Sequence, residues 1–225
     1  MRFIKRFFEK RKELQQLANT SAEEVFTYIY RSNKWHDPES RSGRGSNMAR
    51  TATVRRELPA LLHRLGIDSM LDIPCGDFYW MKEVELPVTR YIGADIVADM
   101  IAANNQLYAN DQRHFSKLNL LTDELPEVDL IFCRECLVHF SFADIAQAMD
   151  TIQRCGATYL LTTHFPEVRR NTDIVTGKHR SLNLQLPPLN WPQPLEEIIE
   201  YDTGRKAGHK YLSLWRVADL PQDFL

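Results

Sequence analysis

From residue 48 onward, short apolar runs alternate with stretches of helical period, and this alternation constrains the fold more than any other feature of the 225-residue chain. Strands that alternate with helices form a parallel sheet covered by helices. A helix is expected over residues 48–65, stopped by Gly66, a residue suited to a left-handed C-terminal cap. Strands are expected at 69–73, 91–95, 114–118, 128–133 and 158–163, with a helix near 100–108. A further helix opens at Ser141, with Asp144 at capping-box spacing and Ile145, Ala148, Met149 and Ile152 on one face. Two late strands near 198–201 and 211–217 follow the stretch 164–191, which is too long for a plain connector.

Residues 1–47 form a separate N-terminal extension to the domain at 48–225. Residues 1–31 have helical spacing at Phe3, Ile4, Phe7, Leu14 and Leu17, then at Val25, Phe26, Ile29 and Tyr30. The same stretch carries Arg2, Lys5, Arg6, Lys10, Arg11 and Lys12. It either docks on its own domain or touches an anionic membrane surface or a protein partner. Residues 32–46 are polar and rich in turn formers. The net charge of −2 argues against nucleic acid gripped by the whole surface. No run approaches the roughly 20 apolar residues of a spanning helix. The charged N-terminus lacks the apolar core of a secretory signal. Four cysteines without dense spacing suit a reducing compartment, so a soluble, cytoplasmic protein is expected.

In an open doubly wound sheet, ligands bind beyond the carboxyl ends of the strands, where strand order reverses. The first strand runs into Asp72-Ile73-Pro74-Cys75-Gly76-Asp77. The second ends on Asp95, about 20 residues further on, where a carboxylate can accept hydrogen bonds from ribose hydroxyls. The third runs into Asn119, and the fourth into Cys133-Arg134-Glu135.

Leu71-Asp72-Ile73-Pro74-Cys75-Gly76-Asp77 resembles the first motif of the class I S-adenosylmethionine (SAM)-dependent methyltransferases, and Gly93-Ala94-Asp95-Ile96 resembles their second. The resemblance covers residues 66–165, and the two late strands fit the family's terminal hairpin. More narrowly, the Pro-Cys-Gly-Asp-Phe turn and the Cys-Arg-Glu-Cys-Leu-Val-His run are similar to a group of bacterial methyltransferase-like proteins. The resemblance implies an α/β, Rossmann-like, doubly wound seven-stranded sheet of order 3-2-1-4-5-7-6 with its last strand antiparallel. It implies an enzyme that moves a methyl group from SAM to a small-molecule oxygen or nitrogen, leaving S-adenosylhomocysteine (SAH). A sugar or glycan precursor is the expected acceptor. Asp72, Cys75 and Gly76 are then to line the methionine part, with Pro74 and Asp77 in the same turn. Asp95, with Ile96, is to hold the ribose, Asn119 and Leu120 the adenine, and Cys133 and Arg134 the sulfonium and acceptor. The chain departs from the family in its glycines: only Gly76 remains of the usual glycine-rich turn.

Several residues have a second reading. Asp95 could simply cap the next helix. Cys133-x-x-Cys136 with His139 suggests zinc or redox chemistry, but no second Cys-x-x-Cys follows and buried cysteine packs as a small apolar residue, so no metal is expected. Methyl transfer rests on alignment of the reacting atoms, with a base needed only for a poorly acidic acceptor. His139, Glu135 and His164 are the candidates, each otherwise a wall of the pocket. The loop 40–46 is expected to fold over the pocket, with Arg41 or Arg44 near the methionine carboxylate or an anionic acceptor, or else to be a mobile surface loop. Asn171, Asp173, Lys178, His179, Arg180 and Asn183 are expected to recognise the acceptor. Two other functions compete: a non-catalytic SAM-binding scaffold, and a NAD-dependent oxidoreductase, whose Gly-x-Gly-x-x-Gly signature is missing after the first strand.

Overall fold

The central strands are buried at nearly every position because helices cover both of their faces. In the computed structural model, which describes residue 17, residues 19–204 and residues 206–222, seven strands form one sheet. They are β1 (Ser69–Asp72), β2 (Arg90–Asp95), β3 (Arg113–Lys117), β4 (Leu130–Cys133), β5 (Tyr159–His164), β6 (Glu196–Asp202) and β7 (His209–Arg216). Their order is β3-β2-β1-β4-β5-β7-β6, as expected. The first five run parallel, and β7 lies antiparallel between β5 and β6. Order reverses between β1 and β4, which puts a crevice at their carboxyl ends.

Four α-helices stand among the described residues: α1 (Ala22–Arg31), α2 (Ala52–Leu65), α3 (Ala98–Tyr108) and α4 (Phe142–Arg154). Alternation along the strands sorts side chains into two cores. Leu71, Ile131 and Leu160 pack with Ile145, Ala148, Met149 and Ile152 of α4. Their neighbours Met70, Leu130 and Leu161 pack with Val54, Leu58, Leu61 and Leu62 of α2 on the opposite face. Each such buried Val, Leu, Ile or Met side chain contributes about 1.5–3 kcal/mol.

Local chemistry sets the boundaries. Ser141 Oγ accepts from Asp144 N at 3.1 Å and starts α4. Gly66, at φ 65°, ends α2. That helix begins four residues later than expected, at Ala52, because Asn47 Oδ1 caps a preceding turn at Arg50 N and Thr51 leaves helical geometry at φ −101°, ψ 0°. Strand β4 starts at Leu130 because Asp129 turns aside to accept from Asp68 N and Ser69 N.

Helix α1 opens with a capping box between Ser21 and Glu24. It is tied to the domain by ion pairs from Arg31 to Asp99 (2.8 Å) and from Glu23 to Lys117 (2.6 Å). The segment between β5 and β6 packs on it so closely that a Cβ at Gly177 would lie 2.3 Å from Val25 Cγ1. The earlier basic stretch, with Arg2, Lys5, Arg6, Lys10, Arg11 and Lys12, lies outside the described residues, as do Phe3, Ile4, Phe7 and Leu14. No described helix is long and apolar enough to cross a membrane.

Candidate active site

A cavity of about 550 Å³ opens at the carboxyl ends of the strands. It brings together Arg41, Asp72, Pro74, Cys75, Gly76, Asp95, Ile96, Asn119, Leu120, Arg134, Glu135 and His139, twelve of the fifteen expected site residues. Asp77, Cys133 and His164 do not reach its lining.

Its first half is built on β1, β2 and β3. Asp95 is 5% exposed and accepts from Gly76 N (3.2 Å) and Val97 N (3.0 Å). It therefore caps the turn into α3 and ties the β1 and β2 turns together, with lone pairs to spare. Burial pushes its pKa up to about 6. Asp72 accepts from the Tyr91 hydroxyl at 2.5 Å, and burial pushes it up to about 8. Asn104 Nδ2 fixes the turn by donating to the Gly76 carbonyl at 2.8 Å. Asn119 Oδ1, expected to meet adenine, already accepts from Leu121 N at 3.0 Å and keeps one lone pair.

Gly76 is needed for more than a ligand. It sits at φ 60°, and a Cβ there would come within 2.2 Å of Ser42 Oγ. The close neighbour is the loop 40–46, clasped by Asp77. The Asp77 carboxylate accepts from Arg41 N (2.7 Å) and Ser40 Oγ (2.9 Å), and its own N–H donates to Ser42 Oγ (3.0 Å). Asp77 is thus turned from the cavity to fasten the loop, and Arg41, Arg44 and Gly45 of that loop line the cavity.

The second half stands on β4, β6 and β7. Arg134 donates to Glu200 through Nη2 (2.6 Å) and Nε (3.1 Å), and Nη2 also donates to the Gly45 carbonyl (2.7 Å). Lys210 donates to Glu135 and pairs with Glu200 at 3.1 Å. Burial opposes ionisation of Glu135, but Lys210 and Arg134 outweigh it and hold the carboxylate well below the usual range. Glu135 takes φ 56° at the end of β4, its N–H donating to Thr163 Oγ1 at 2.8 Å. Such a backbone is sparsely populated for a residue with a side chain.

His139 lies among Trp35, Phe26 and His179, with ring centroids 5.4, 6.5 and 5.3 Å away. Its Nδ1 is 2.8 Å from the Lys178 carbonyl. A carbonyl only accepts, so Nδ1 carries the proton and Nε2 keeps its lone pair. Burial, with His179 nearby, lowers its pKa to about 4, so the ring is neutral.

Two of the residues outside the lining are taken up by the core. His164 is fully buried; its Nδ1 accepts from Leu184 N at 3.1 Å and its ring meets Trp215 edge-on. Cys133 is 0% exposed in the α4-side core, and Cys136 is 7% exposed beside it, so both cysteines pack as apolar residues.

The segment between β5 and β6 delivers Phe165, His179 and Ser181 to the cavity. Most of its polar side chains hold the segment itself. Asn171 Nδ2 donates to Asn183 O (2.7 Å), and Asn183 Nδ2 donates to Pro166 O and Val168 O (both 2.9 Å). Asp173 accepts from Phe142 N at 2.8 Å, and Arg180 Nη1 donates to the Leu137 and Val138 carbonyls. A long segment without regular structure needs such partners for its backbone.

Glu200, Tyr201 and Lys210 escaped the sequence reading. A signal was there: Lys210 shares its strand face with Leu212 and Leu214, all three buried. A charge on an apolar face requires a partner.

Residues 71–157 match the family model described as a methyltransferase domain. No curated protein matches the sequence. Among solved structures, the N-methyltransferase NodS from Bradyrhizobium japonicum WM9, in complex with SAH, gives a TM-score of 0.59 at 15% identity, over 84% of this chain and 97% of its own. Magnesium protoporphyrin IX methyltransferase (ChlM) from Synechocystis PCC 6803, with bound SAM, gives 0.59 at 13% identity, over 88% and 98%. Human N-acetylserotonin methyltransferase, in complex with SAM, gives 0.55 at 19% identity, over 86% and 59%. The family model and the sheet order agree: residues 71–157 are similar to a methyltransferase domain, and the fold is similar to that of these SAM- and SAH-bound methyltransferases.

Proposed function

We propose that this protein transfers a methyl group from SAM to an oxygen or nitrogen of a small molecule. The observation that carries the reading is one cavity with two unlike halves: the β1–β3 carboxylates on one side, a neutral histidine beside an ion-pair network on the other. When bound, SAM supplies a methyl group on a sulfonium leaving group.

The residues present fit that cofactor. Asp95 has lone pairs to accept from ribose hydroxyls, and Ile96 and Leu120 give the apolar contact that a base needs. Asp72 and Gly76 face the methionine part, and Arg41 takes its carboxylate. Residues 48–225 act as the catalytic domain, and the described part of the N-terminal extension, residues 19–47, covers the cavity. Phe26, Tyr30 and Trp35 support that covering role, since all three line the cavity and keep water from the reacting atoms.

His139 Nε2 takes the proton of an acceptor hydroxyl as the methyl arrives, and the Glu135 carboxylate favours the resulting imidazolium. Lys210 fixes Glu135 in place, and the Arg134 charge helps keep it ionised. A sugar or glycan precursor is the acceptor we favour, because the cavity lining combines polar side chains with the aromatic rings of Trp35 and Tyr201.

The test is incubation of the protein with methyl-labelled SAM and a cell extract, followed by separation of small molecules, protein and nucleic acid. The expected result is label in the small-molecule fraction. Label in protein or nucleic acid alone, or binding of SAM with no transfer to any fraction, would overturn the reading.

A further inference from the structure

The cavity's cations divide by partner. Arg134 and Lys210 are matched by Glu200 and Glu135. Arg44 lies in the field of Asp37. Arg41 is engaged by the cofactor in the function proposed above. Arg50 is left over. Arg50 lines the cavity, and among the described residues its side chain makes no ion pair or hydrogen bond. It is held instead over the ring of Tyr201, 4.3 Å from the centroid, while Lys210 approaches the same ring at 4.9 Å.

Position separates this spot from the nucleoside end. Tyr201 lies on β6 and Lys210 on β7. Four inter-strand steps part β7 from β2, which carries Asp95; at about 4.8 Å each they span roughly 19 Å. An unpaired guanidinium closed off from water by a bound ligand is costly unless that ligand brings an anion. The planar fork of arginine matches a carboxylate with two parallel hydrogen bonds. Ser46 and Tyr201, which also line the cavity, add hydroxyl groups.

We infer that the methyl acceptor carries a carboxylate, received by Arg50 over the face of Tyr201; the inference rests on the methyl-transfer reading for the word acceptor. The function proposed above gives the cofactor's carboxylate to Arg41, which leaves Arg50 to set specificity without holding SAM.

Ligand-observed saturation-transfer NMR on the full-length protein, with and without SAH, tests it through two matched pairs: 4-hydroxybenzoate against 4-hydroxybenzamide, and glucuronate against glucose. In the wild type, at least one acid should bind ten times or more tightly than its neutral partner. Arg50→Ala should abolish that preference with melting temperature and SAH affinity unchanged, and Arg50→Lys should keep part of it. No preference for either acid, including no binding at all, would overturn the inference, as would a preference that survives Arg50→Ala. A tenfold loss of SAH affinity in Arg50→Ala would overturn it too, by moving Arg50 to the cofactor. Failure of SAH to bind the wild type would count against methyl transfer instead, and the acid preference is still read on the protein alone.

Discussion

At the ends of β1, β2 and β3 the cavity wall consists of short turns whose own backbone holds the functional groups: Gly76 N and Val97 N donate to Asp95, and Asn104 pins the Gly76 carbonyl. At the ends of β4, β6 and β7 the wall consists of ion pairs between residues 66 and 75 positions apart, Arg134 with Glu200 and Glu135 with Lys210. Both walls bury carboxylates, yet the carboxylates behave in opposite ways. Burial drives Asp72 up to about 8 and Asp95 up to about 6, whereas cations keep Glu135 ionised against the same burial. The difference lies in the counter-charge, and it matches the ligands proposed. The half whose buried carboxylates form no ion pair suits a cationic cofactor, and the half with a spare guanidinium suits an anionic acceptor.

The contrast can be broken from the acceptor side first. His139→Gln should lower turnover by about 10²–10⁴-fold while SAH affinity holds, read by steady-state kinetics beside calorimetry. A fall in SAH affinity of the same size would erase the division into halves.

Lys210→Met comes next. It leaves Glu135 and Glu200 without a shared cation in the core, and should cost about 3–5 kcal/mol in urea unfolding. A loss within error would mean the network is relaxed by water and does not define the acceptor wall.

A smaller effect sharpens the cofactor side. Native Asp72, held at about 8, keeps a proton that the unfolded chain has lost above its ordinary value of 3.8. The native state therefore binds more protons, and stability falls as pH rises through the folded pKa. His139 and His164, both lowered to about 4, act in the opposite sense, but their effect is nearly complete by pH 7. From pH 7 to 8.5 the unliganded protein should lose about 1 kcal/mol, and Asp72→Asn should remove the loss. A flat profile in the wild type would show Asp72 ionised and the two halves electrostatically alike.

The smallest effect serves as the control. Arg31 and Asp99 pair at the surface, outside both halves, and Arg31→Ala should leave the melting temperature unchanged.

The first half was legible in the sequence because its parts are consecutive. A strand, a turn and a carboxylate at a strand end announce themselves by spacing, which marks the turn 72–77 and Asp95, and the motif resemblance singles out Asp72 and Gly76 within that turn. Asp77 was misplaced because spacing gives the turn but not which side chain is claimed by a loop 36 residues earlier. His164 was misplaced because alternation along β5 turns it into the core, a matter of register that composition does not carry. Arg50, Glu200 and Lys210 meet only through the folded sheet, and no local pattern joins them. The polar residues of the segment between β5 and β6 read as ligand contacts, but Asn171 and Asn183 supply that segment's own hydrogen bonds.

The most direct test is calorimetric titration with SAH of the wild type and of Asp95→Ala. Binding at about micromolar Kd in the wild type, lost in a variant that keeps its fold, is the expected result. A folded wild type that does not bind SAH, or an Asp95→Ala variant that binds as tightly as the wild type, would contradict the cofactor site at the ends of β1 and β2.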